Sequence, residues 1–217
     1  MGSCDFDNNS TAGAQVFVVA MNIAFFSDPL EAEIVKEIRL WSLDILEKPN
    51  PYFNNLPPCP YARNAWADDK VAILFIHEEN YQTLYSCVSQ WDDKQDIAII
   101  ADLGNTKNSE DFHEYLDGLN YRISEGMFID KDIWLMGFHP DDAPSDFVQE
   151  VAFAPLVETP YAMIFVQRLS KLQQAADKLA KKSYYDTYDA EYNAREIYEL
   201  RETLYRKLKN GNETKEA

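Results

Sequence analysis

Glycine is scarce in this chain: seven residues in 217, and none of them falls in a G-x-G-x-x-G or Walker pattern. The backbone cradles that hold dinucleotides and nucleoside triphosphates need those glycines for tight turns and close phosphate approach, so NAD and ATP are not expected. No other cofactor is indicated by a motif. Cysteine is nearly as rare. Cys4, Cys59 and Cys87 are irregularly spaced, which makes neither a disulfide framework nor a C-x-x-C zinc pattern and points to a reducing, cytoplasmic compartment. Positive charge is also short, with 20 Lys and Arg against 37 Asp and Glu and a net charge of -17. Nucleic acid and anionic membranes attract basic surfaces, so neither is an expected partner. The apolar run from Ala14 to Phe26 is too short to span a bilayer and contains Asn22, so it reads as a buried strand or helix.

What the chain does have is a core. Hydrophobic residues make up 46% and aromatics 13%, enough for one large folded domain. Residues 1–13 read as a loose arm, 14–182 as the α/β domain, and 183–217 as a helical extension. Asp28-Pro29-Leu30-Glu31 predicts a helix start with Asp as cap, Pro in the first turn and Glu closing a capping box. Ile34, Ile38, Trp41 and Ile45 continue it as an amphipathic helix of four to five turns, stopped by Pro49 and Pro51. Apolar runs at 71–76, 96–101, 133–138 and 161–166 read as strands. The intervening helical patterns at 78–90 and 109–125 imply right-handed crossovers and an at least partly parallel sheet. Helices are expected over 169–182 and through Ile197, Leu200, Leu204 and Leu208, with Tyr184, Tyr185, Tyr188 and Tyr192 between them. The fold class is α/β: a mixed or mostly parallel sheet of four or five strands covered by helices. A ferredoxin-like order stays open, and the C-terminal helix offers a surface for a homo-oligomer.

Three places carry chemistry. Leu56-Pro57-Pro58-Cys59-Pro60-Tyr61-Ala62-Arg63 is a stiff approach to a short helix, with Pro60 suited to its first position. Cys59 then falls at the N-cap, where backbone N–H groups and the helix dipole favour an anion and lower a thiol pKa. The plainer alternative is a small buried apolar residue. His139 follows the third strand beside Pro140, Asp141 and Asp142, and either carboxylate is placed to orient its imidazole. Arg63 and Arg168 stand beside these motifs and suit a carboxylate or phosphate, with an ion pair to the surplus acid as the plainer role.

These stretches resemble an uncharacterised bacterial family with an LCPFA-type motif, an FHP motif and an R-S-P-Y-P segment leading to an arginine. The matching residues are Pro58-Cys59-Pro60-Tyr61-Ala62, Phe138-His139-Pro140-Asp141, and Thr159-Pro160-Tyr161 leading to Arg168. Asp111-Phe112-His113-Glu114-Tyr115-Leu116-Asp117 is similar to the family's aromatic-and-leucine helix start, and the likeness spans about residues 35 to 180. Pro58, Tyr61 and Ala162 depart from the pattern. The resemblance implies that these residues cluster, and it supplies no reaction.

The leading expectation is a thiol-dependent hydrolase or transferase for a small anionic substrate. Cys59 would be the thiolate, His139 the acid or base, and Asp141 or Asp142 its orienting group. Arg168, Arg63 and Tyr61 would bind the substrate. A zinc or iron enzyme with Cys59, His139 and Asp141 as ligands is the second expectation. The third is an acidic interaction protein that docks on a partner through its C-terminal helix and tyrosines, in which Cys59 and His139 lie far apart or fully buried with no cavity between them.

Overall fold

The computed structural model describes residues 28–78, 82–92, 94–125, 131–142, 156–184 and 194–213. Cys4, the run from Ala14 to Phe26, and Tyr185, Tyr188 and Tyr192 lie outside them. Helix α1 (Pro29–Trp41) starts at its Asp28 cap, whose carboxylate accepts the Leu30 N–H at 2.8 Å, while the Glu31 carboxylate meets His77 Nε2 at 2.8 Å instead of closing a capping box. Its last turn widens into a π-helical turn, Ser42–Leu46, closed by the Glu47 N–H to the Ser42 carbonyl. The short helix α2 (Ala62–Ala67) leads into strand β1 (Val71–Ile76), followed by α3 (Gln82–Ser89), β2 (Ile97–Asp102), α4 (Ser109–Ser124) and β3 (Ile133–Phe138). Strand β4 (Ala162–Arg168) runs without a turn into α5 (Leu169–Ala180), and α6 (Ala194–Glu213) follows.

The sheet is mixed, in the order β1-β2-β4-β3. Only β1 and β2 pair in parallel, and β4 is antiparallel to both of its neighbours. The parallel pair is adjacent rather than split by another strand, so the ferredoxin-like order is not the one adopted. Both faces are covered, which explains why β1, β2 and β4 read as almost unbroken apolar runs instead of alternating ones. On one face, Leu74, Ile100 and Ile164 meet Leu84 and Val88 of α3 and Phe112, Leu116 and Ile123 of α4. On the other, Ile73, Ile99 and Phe165 meet Ile34, Ile38 and Trp41 of α1 and Trp66 of α2.

Strand β3 lies at the edge beside α4, and two residues adapt it to that place. A Cβ on Gly137 would lie 2.5 Å from both the Phe112 ring and Leu116 Cδ1, so the close approach of α4 needs glycine there. The Asn120 side chain, on α4, donates to the Leu135 carbonyl at 2.8 Å and accepts the Leu135 N–H at 3.0 Å. One amide thus satisfies both backbone groups that an edge strand would otherwise leave open.

Candidate functional site

The imidazole of His139 is buried at the end of β3 and tilts against the Phe112 ring on the α4 face. Its Nδ1 accepts the Asp141 backbone N–H at 3.1 Å, which places the proton on Nε2. Nε2 in turn meets the Lys107 carbonyl at 3.0 Å, with the Asn105 amide at the same distance. Both ring nitrogens are therefore engaged in fixing two loops to the strand end.

Asp141 does not orient this ring, because its carboxylate is 82% exposed and 4.0 Å from Nδ1. Asp142 does orient an imidazole, but it is that of His113. Its Oδ1 accepts from His113 Nε2 at 2.8 Å and from the Ser109 hydroxyl at 2.6 Å, while Oδ2 accepts the His139 backbone N–H at 2.8 Å. Burial acts to raise the Asp142 pKa, yet the His139 N–H, Ser109 and His113 together outweigh it and hold the carboxyl below its usual range. A depressed folded-state pKa contributes stability that is present above the unfolded value, near 4, and is lost as pH falls through the folded one. Asp142→Asn is therefore expected to flatten the part of the stability-versus-pH curve below about pH 4, as followed by urea midpoints. An unchanged acid limb would show that the three donors do not act on this carboxylate.

Cys59 is not at the helix cap. Pro60 and Tyr61 form a turn in which the Cys59 carbonyl accepts the Ala62 N–H, Tyr61 occupies the cap, and α2 has only six residues. Burial pushes the Cys59 thiol up to about 12, although the Ala62 and Tyr61 backbone N–H groups face the sulfur and favour the anion. Desolvation outweighs those two dipoles, so the expected low-pKa thiolate becomes a neutral thiol.

Nor does the fold bring Cys59 to His139. Tyr61, two residues beyond Cys59, donates its hydroxyl to Gln167 Oε1 at 2.9 Å, and Gln167 pairs with Ile97 and Trp134. His139 follows Phe138, which pairs with Met163, four residues and roughly 13 Å along the same strand. The two also sit on opposite faces, since Tyr61 packs with the α1 cluster and His139 against α4. Sheet alternation separates Arg168 as well. It follows Gln167 and turns to the other face, where Nε meets Asp96 at 3.2 Å and Nη1 approaches Asp132 at 3.9 Å. Nη2 donates to the Asp92 and Gln95 carbonyls, and the guanidinium lies over Trp91. Arg63 is mostly exposed and pairs with Glu47, through Nε at 3.8 Å and through Nη2 to its carbonyl at 2.9 Å. Among the described residues no three His, Cys, Asp or Glu side chains gather as a metal site, so Cys59, His139 and Asp141 form no ligand set.

A different site stands beside Cys59. A cavity of about 760 Å³ is lined by the α1 face of the sheet, the π turn and the proline segment, by edge strand β3 with α4, and by the α5–α6 pair. Trp41, Trp66, Trp134 and Phe165 line it, with Leu46, Leu172 and Leu179. The polar groups come from Ser42, Cys59, Tyr61, Gln167, Tyr184 and Arg201, with His113, Asp117, Asn120 and Tyr121 on the α4 side. That volume and that balance of aromatic wall to polar groups are what small-molecule sites have. The sequence did not point to Arg201 or His113 as site residues. Arg201 lies in a charged helical pattern, and His113 needed Asp142, 29 residues on, to acquire a partner. The three tryptophans were visible only as core.

Compared with protein-family models, with curated proteins and with solved structures, the chain finds no match in any of the three. The likeness seen in the Cys59, His139 and Arg168 motifs therefore rests on those residues alone. Among the described residues no helix is long and apolar enough to cross a membrane.

Proposed function

We propose that this protein binds an organic small molecule in the aromatic cavity beside Cys59. The carrying observation is the cavity itself: about 760 Å³, walled by three tryptophans and a phenylalanine, with a neutral thiol in its lining. The small-molecule substrate expected of this chain thus keeps a place, but the site is built from Cys59 and Tyr61 with α5 and α6, not from Cys59 with His139. An acidic surface and a cytoplasmic setting accompany this reading. The interaction-protein alternative expects Cys59 and His139 apart, as they are, but it has no use for a cavity of this size.

The neutral fluorophore N-phenyl-1-naphthylamine supplies the test. It is expected to bind the native protein with a blue-shifted emission. Ala175, half-buried in the lining, gives a way to fill the space. Ala175→Trp is expected to weaken the probe about tenfold or more while the thermal midpoint moves by only a few degrees. A wild-type protein that leaves the probe dark, or a tryptophan variant that binds it equally well, would remove the proposal.

A second reading, an enzyme using general acid–base chemistry, is favoured by one observation. His113 is oriented by Asp142 through Nε2 and belongs to the cavity lining. The aspartate holds the ring in one orientation, the arrangement that proton transfer to a bound ligand needs.

A further inference from the structure

The cavity's polar groups are nearly all spoken for. Ser42 accepts the Trp66 indole N–H at 2.9 Å, Tyr61 donates to Gln167 at 2.9 Å, and Tyr184 donates to the Pro58 carbonyl at 2.6 Å. Arg201 is the exception. Its Nε is shielded from solvent, and among the described residues it has no hydrogen-bond partner. No acid pairs with its guanidinium among those residues either, in a chain that carries 37 acidic residues. A shielded charged donor without an acceptor is costly, and native proteins leave few of them.

The neighbours placed to serve as counter-ion are kept neutral. Burial pushes the Cys59 thiol up to about 12 and holds the Tyr61 phenol well above its usual range, even with the Arg201 charge acting to lower it. His113 is committed to Asp142, and Asp117, the remaining acid of the lining, is exposed at the α4 side. The cavity lining therefore holds one cation, Arg201, together with aromatic walls, and no protein anion meets it among the described residues.

We infer that the ligand of this cavity is a largely apolar, aromatic-sized molecule bearing one anionic oxygen group of the carboxylate or sulfonate class, and that Arg201 binds that group. The inference rests on the small-molecule reading above and adds the ligand's charge and the residue that recognises it. A guanidinium offers its Nε–H and one Nη–H side by side, which matches a two-oxygen anion. Such selectivity would be local, because the net charge of -17 repels anions from the molecule as a whole.

Two probes with one skeleton separate the two claims. N-phenyl-1-naphthylamine is neutral, and 8-anilinonaphthalene-1-sulfonate is the same body with a sulfonate. The folded wild-type protein is expected to bind the sulfonate about tenfold or more tighter than the neutral probe. Arg201→Gln is expected to bring the ratio to about one by weakening the sulfonate alone. Arg201→Lys, which keeps the charge without the paired N–H groups, should give an intermediate ratio. If neither probe binds the wild type, the cavity reading fails. If the neutral probe binds and the ratio is the same in wild type and Arg201→Gln, the cavity stands and the anion assignment is overturned. Should Arg201→Gln not fold, the wild-type ratio decides by itself, since an acidic chain without a local cation disfavours the sulfonate and gives a value at or below one.

Discussion

Native protein treated with iodoacetamide at pH 8 is expected to modify Cys59 about a thousandfold more slowly than the same residue in urea. The reactive species is the thiolate. Burial pushes both the Cys59 and the Cys87 thiols up to about 12, three units above the usual 9.0, so each carries roughly a thousandth of the ordinary anion fraction. Peptide mapping of the time course separates the three cysteines. The result distinguishes two chemistries at one position. A thiolate nucleophile at a helix cap would label faster than a free cysteine, whereas the neutral thiol of the cavity wall labels slower. Fast, selective labelling of Cys59 in the folded protein would restore the nucleophile and set aside the neutral-thiol description. Occupying the cavity with N-phenyl-1-naphthylamine should slow Cys59 further while leaving Cys87 unchanged, since only Cys59 lies in that lining.

Replacing Arg168 with Ala is expected to cost about 3 to 5 kcal/mol of folding stability, read from urea midpoints. The side chain is buried at the C-terminal end of β4, where it gathers Asp96, Asp132 and the carbonyls of Asp92 and Gln95. Its own backbone N–H donates to the Asp96 carbonyl at 2.9 Å, so side chain and main chain hold the same loop. Removing the guanidinium leaves two carboxylates and two carbonyls without their shared donor. Arg168→Lys should recover only part of the loss, because one ammonium cannot reach four acceptors in a plane. A substrate-anchoring arginine behaves differently: its removal weakens ligand binding and leaves the midpoint almost in place. Should Arg168→Ala keep wild-type stability and lose only affinity for the anionic probe, the structural role given to it here would be wrong and the anchor would belong there rather than at Arg201.

Much of the fold was legible along the chain. Asp28, Pro29 and Glu31 announce the start of α1, and the four apolar runs announce four strands, because caps and periodicity act over a few neighbouring residues. The C-terminal helix shows in the same way, through Leu204 and its partners at helical spacing. The chemistry was less legible. Pro58-Cys59-Pro60 marks a stiff segment correctly, but whether a cysteine there is a thiolate depends on how deeply the segment is buried, which neighbours distant in sequence decide. Likewise Phe138-His139-Pro140-Asp141-Asp142 signals a built strand end. It does not say that Asp142 reaches His113 while His139 spends both nitrogens on loop backbone.

The sequence by itself determined an acidic α/β chain with these helices and strands, since composition, caps and hydrophobic period are local properties. Only the tertiary structure decided the order β1-β2-β4-β3, because strand neighbours are chosen by long-range packing that no local pattern encodes. That order and the alternation along β4 send Gln167 to the cavity face and Arg168 to the opposite one. They also set Cys59 and His139 at different ends of the sheet. Helices α5 and α6, which join the α3–α4 side of the core through Leu169 and Leu204, also line the cavity and bring Arg201 to its wall. The site follows from side chains meeting in space, and their spacing in the chain carries no record of it.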